Sequence, residues 1–92
     1  MKESEVNPHL RAAIIEVVEN QLRTIDPPQT RQTFERLIQA GHSEVEAKQL
    51  IGTVVSAEIF DVLKRHEPFN LDRFVKVLDR LPAMPWEEEE EN

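Results

Sequence analysis

From residue 10 to residue 81 the apolar positions fall mostly three and four residues apart, the spacing of one buried face on a helix. Leu10, Ile14, Val17, Val18, Leu22 and Ile25 form the first stripe. It opens at Asn7-Pro8, where Asn suits an N-cap and Pro suits the first turn, because the N–H it lacks would be unpaired there. Asp26-Pro27-Pro28 closes this helix and opens the next, with Asp26 expected as the cap and Pro27 in the first turn. The second stripe is Phe34, Leu37 and Ile38. Gly41 ends it, in a left-handed conformation that glycine adopts without a Cβ penalty.

Ser43-Glu44-Val45-Glu46 has the form of a capping box, in which the Ser hydroxyl and the Glu carboxylate each satisfy an orphan backbone N–H. The helix it starts is predicted from about Glu44 to Arg65. Its apolar residues (Ala47, Leu50, Ile51, Val54, Val55, Ile59, Phe60, Val62 and Leu63) wrap more than half the circumference, which predicts a central helix touched from several sides. Gly52 in its middle costs about 1 kcal/mol relative to Ala, and a close approach by another helix is the expected compensation. Pro68 breaks the chain, and Asn70 caps a fourth helix with the stripe Leu71, Phe74, Val75, Leu78 and Leu81. Phe69 and Phe74 occupy the two positions of a hydrophobic staple. Pro82 ends this helix.

Short connections favour antiparallel neighbours. The expected fold is all-α, a compact antiparallel bundle or orthogonal array of about four helices. Residues 1–6 are read as a flexible N-terminus, 7–81 as the helical domain and 82–92 as an acidic tail, disordered beyond Trp86.

Composition changes this picture in three ways. The net charge of −7 comes largely from the run Glu87 to Glu91, and without those five residues 13 acidic face 11 basic ones. The body is therefore nearly neutral and lacks the basic stripe that phosphate neutralisation needs, so no nucleic-acid partner is expected. The chain has no cysteine, which excludes disulfides and thiolate metal sites. The N-terminal residues carry no apolar run of the signal-peptide kind, and no stretch approaches the roughly 20 apolar residues of a spanning helix. A cytoplasmic protein with no membrane partner is the expectation.

Several phrases stand together: Asn7-Pro8-x-Leu10, Val18-Glu19-Asn20-Gln21-Leu22, Asp26-Pro27-Pro28, Gly41 with its following helix start, and Glu58-Ile59-Phe60-Asp61-Val62-Leu63. They resemble a bacterial family of small all-helical domains of unknown function, over most of residues 7 to 81. The resemblance implies histidines in relatives near the positions of Arg11, Ile15, Val45 and Gln49, as two i, i+4 pairs on neighbouring helices that could form a metal site. This chain has none of the four, so the resemblance implies a lost site and carries over no activity. No cofactor or metal is expected.

Two polar residues lie where apolar ones belong. Glu58 is central in the stripe of Ile51, Val54, Val55, Ile59 and Val62, and Gln21 is central among Ile14, Val17, Val18 and Ile25. Together they suggest a polar contact inside the bundle. A ligand-binding or proton-handling site around Glu58, with Gln21 and Glu19 or Asn20 nearby, is one reading, because buried carboxylates have perturbed pKa values. The plainer one is a hydrogen-bonded pair that fixes helix register, and a third is a subunit interface.

Other candidates are weaker. Glu16-x-x-Glu19 and Glu58-x-x-Asp61 lack the histidines of a di-iron bundle. His9, His42 and His66 are scattered and read as surface residues. Ser43 is explained as a cap, and Ser56 has no His–acid pattern beside it. The turn from Leu37 to Ala47 faintly resembles that of a ubiquitin-associated domain or a helix-turn-helix. Glu44 and Glu46 at the start of the next helix would face phosphate badly. In the tail, Trp86 with Met84 beside the acidic run is a candidate docking motif for a basic, grooved partner, or a segment that folds back over an apolar patch.

The chain is therefore expected to be a protein–protein interaction module or a self-associating one, as a homodimer, more readily than an enzyme. A small-molecule or metal-binding domain around Glu58 is the alternative.

Overall fold

Asn70, Ser43, Gly41 and the prolines divide the chain where their chemistry predicts. The computed structural model describes residues 8–85, within which lie α1 (Pro8–Thr24), α2 (Pro28–Gln39), α3 (Glu44–Arg65) and α4 (Leu71–Arg80), with no strand among the described residues. The connections span three, four and five residues. The expected cap at Asn7, the flexible N-terminus and the acidic run lie outside the described residues.

The caps show how local sequence sets these boundaries. Ser43 Oγ accepts from the Glu46 N–H and Glu46 Oε1 from the Ser43 N–H, both at 3.1 Å, so the capping box at the start of α3 is complete. Asn70 Oδ1 accepts from the Arg73 N–H at 3.0 Å and starts α4. Gly41 has φ +108°, as its place after α2 requires. The Phe69 and Phe74 rings meet at 5.5 Å across the start of α4.

The α1–α2 junction departs from expectation. The N-cap of α2 is Pro27, without a side-chain hydrogen bond, and Pro28 is the first helical residue. Asp26 serves the preceding helix instead: its N–H donates to Gln21 O at 3.1 Å. That six-residue bond closes α1 around Ile25, which has φ 55° and is 52 % exposed rather than part of the buried stripe. A β-branched residue there is strained by about 1–2 kcal/mol. Glycine removes that strain and adds about 0.5–1 kcal/mol of unfolded-chain entropy. Ile25→Gly is thus expected to stabilise the protein by about 0.5–1 kcal/mol in urea melts, and a loss of stability would contradict the strained stop.

α3 packs against each of the other three helices, as its wide apolar surface predicts. The core consists of Val18, Leu37, Ala47, Ile51, Val54, Val55, Phe74, Leu78 and Leu81. Gly52 is buried against α1, and a Cβ placed on it would meet Ile14 Cγ2 at 3.3 Å and Ile15 Cδ1 at 3.6 Å. A larger residue would push α1 away from α3. On α2 the buried residues are Thr30, Thr33 and Leu37, while Phe34 and Ile38 are half-buried. The inward face is thus rotated toward two threonines that the apolar pattern passed over. After Leu81 the chain does not leave the body at once, because Ala83, Met84 and Pro85 are half-buried.

Candidate functional site

Glu58 follows Val54 and Val55 by one helical turn and so faces inward with them. At 5 % exposure its carboxylate needs partners from the protein. They come from the start of α4. The Asn70 N–H donates to Glu58 Oε2 at 3.1 Å. Arg73 makes a two-pronged contact, with Nε donating to Oε1 at 3.0 Å and Nη2 to Oε2 at 2.8 Å. Asp61 at 4.0 Å and Glu67 at 3.9 Å flank the same guanidinium.

The hydrogen bond from Arg73 holds the Glu58 carboxyl below the usual carboxylate range, against the opposing effect of burial, and the Asn70 N–H and the Arg73 charge add to it. A proton-handling group poised near neutrality needs the opposite shift. Both oxygens are engaged and the charge is matched, so this arrangement is a latch between α3 and α4. The adjoining cleft, about 350 Å³, has mixed charge along its lining, with Asp61, Lys76 and Arg80 beside the latch.

The other sequence candidates do not converge on Glu58. Gln21 accepts from Thr30 Oγ1 at 2.9 Å and so joins α1 to α2, which corrects the expected contact between Gln21 and Glu58. The two stripes each needed a polar partner and found it on a different neighbour. Glu19 pairs with Lys48 of α3 at 3.4 Å. Asn20 holds Arg23 and Thr24 within α1. Met84 is half-buried, while Trp86 lies outside the described residues. Among the described residues no group of three or more His, Asp or Glu side chains is placed to hold a metal ion.

One long-range partner had no signal in the apolar pattern. Arg36 on α2 donates to Leu81 O at 2.9 Å and to Leu78 O at 3.0 Å. A cation there satisfies the last carbonyls of α4 and complements the negative end of its dipole.

The larger surface feature lies between α1 and the second half of α3. Leu10 and Ile14 face Ile59, Phe60 and Leu63 across an open groove of about 790 Å³ whose mouth is shared by Pro85. Leu10 is 57 %, Phe60 62 % and Leu63 69 % exposed. These belong to the stripes expected to be buried, but α1 approaches α3 most closely where Ile14, Ile15 and Val18 meet Gly52, and Leu10, Ile59, Phe60 and Leu63 stay exposed. Lys64 stands at the rim, its Nζ 5.7 Å from the Phe60 ring centre. A smaller recess of about 320 Å³ continues along the same helices past Arg11, Ile15 and Gln49.

No helix of the described chain is long and apolar enough to cross a membrane. Comparisons with protein-family models, with curated proteins and with solved structures found no match to this chain.

Proposed function

We propose that this chain is a protein–protein interaction module without catalysis, and that its working surface is the α1/α3 groove. The observation that carries this reading is the exposure of Leu10, Ile59, Phe60 and Leu63 on one contiguous surface. Among the described residues, nine large apolar side chains are exposed, as many as form the core. A fold this small gains from covering the four of them that line the groove. The occupant is a second copy of the chain, since a two-fold arrangement covers both grooves at once and needs no other species.

Sedimentation equilibrium over a rising concentration series tests this. The mass of the natural chain is expected to climb toward a dimer, and that of Leu63→Asp to stay at the monomer. Leu63 is 69 % exposed, so this change is expected to leave the fold intact, as circular dichroism would check. A natural chain that stays monomeric, together with an equally monomeric Trp86→Ala, removes the proposal.

The alternative, a ligand or metal site around Glu58, draws less support, because both carboxylate oxygens are already held by Arg73 and Asn70.

A further inference from the structure

Pro85 lines the α1/α3 groove and also the α3/α4 cleft, and so do Ala57 and Asp61, so the chain reaches the boundary between the two. The half-buried Ala83 and Met84 bring it there, with the Ala83 N–H donating to Arg80 O at 2.9 Å. The next residue is Trp86, the only tryptophan, and five glutamates follow it. It is joined by one peptide bond to Pro85, which lines the same groove as Ile59, Phe60 and Leu63. An indole is among the largest apolar groups a side chain can offer, and the groove is apolar and wide enough to take it. Lys64, with its Nζ over the Phe60 ring, offers the glutamates a favourable charge beside the groove, although Asp61 in the lining opposes it.

We propose that Trp86 seats in the α1/α3 groove of its own chain, so that the tail competes with a second copy for that surface. This rests on the groove being the docking face, and it names how docking is regulated. A tether of one residue gives the indole an effective concentration of about millimolar or more, above that of a dilute second copy. Docking then requires the tail to be displaced.

The single tryptophan makes the test direct. In the full chain, over the concentrations at which it is monomeric, Trp86 emission is expected to be blue-shifted from that of free indole, weakly quenched by acrylamide and independent of concentration. Leu63→Asp and, from the other wall, Leu10→Asp should each move emission to the red and raise quenching. Trp86→Ala should dimerise at several-fold lower concentration than the natural chain. Emission of solvent-exposed indole in the folded chain overturns the proposal, and so does a blue shift that grows with concentration, since the indole would then be covered by another copy. An exposed Trp86 with a Leu63-dependent dimer leaves the docking face standing and removes the tail. A buried, concentration-independent Trp86 with no dimer in either the natural chain or Trp86→Ala does the reverse.

Discussion

Phe74→Ala is expected to cost about 3–5 kcal/mol, the range for truncating a fully buried aromatic side chain. The ring is 1 % exposed and belongs to the core beside Val54, Leu78 and Leu81. Small domains hold only about 5–15 kcal/mol in total, so the variant should melt on the order of 15 °C lower or more and be partly unfolded at modest urea. Phe69 supplies the control. It touches Phe74 but is 52 % exposed, so Phe69→Ala should cost only about 1 kcal/mol, near the value of an aromatic pair. Urea denaturation followed at 222 nm measures both. Similar losses for the two variants would mean that α4 does not dock through Phe74.

Glu58→Gln should be the next most damaging, at about 2–3 kcal/mol at neutral pH. The amide keeps the shape, but it gives up the charge that the Arg73 fork and the Asn70 N–H address, and its NH₂ group faces a donor. The effect is pH-dependent in a defined direction. The folded carboxyl titrates below its unfolded value, so its stabilisation is fully present above the usual carboxylate pKa of about 4.3 and is lost as pH falls through the lower folded value. The gap between the natural chain and Glu58→Gln should be constant from neutral pH down to about pH 5 and then narrow in acid. A gap that widens in acid would mean that Glu58 is held in its protonated form.

The helices and their ends were legible because they depend on local chemistry. Ser43 with Glu46, Asn70, Gly41 and the Phe69–Phe74 pair each act within a few residues of themselves, and each is found as predicted. The polar interior was half legible. Periodicity shows that Glu58 and Gln21 face inward but not which helix meets them, and Arg73 and Thr30 stand 15 and 9 residues away. Thr30 and Thr33 were missed because their hydroxyls mask side chains small enough to pack in a core. Arg36 was missed for a related reason: the carbonyls it reaches are 42 and 45 residues distant and carry no side-chain signature. The groove was the least legible feature. An apolar stripe specifies a surface that avoids water, whereas the width of it that a neighbour covers depends on where Gly52 lets α1 approach.

The latch also bears on how this chain can change over generations. Glu58 and Arg73 each supply the other's matching charge, and Asn70 donates to the same carboxylate oxygen as one arm of the fork. Loss of either charged member alone leaves the other without its match, so a first substitution at 58 or 73 passes through a weakened protein before a second can restore it. Drift at these two positions should therefore be concerted, with descendants carrying either both charges or an apolar pair of similar volume. A lineage with one charge exchanged and the other retained should show a compensating change among Asp61, Glu67 and Asn70, the residues that share Arg73's surroundings.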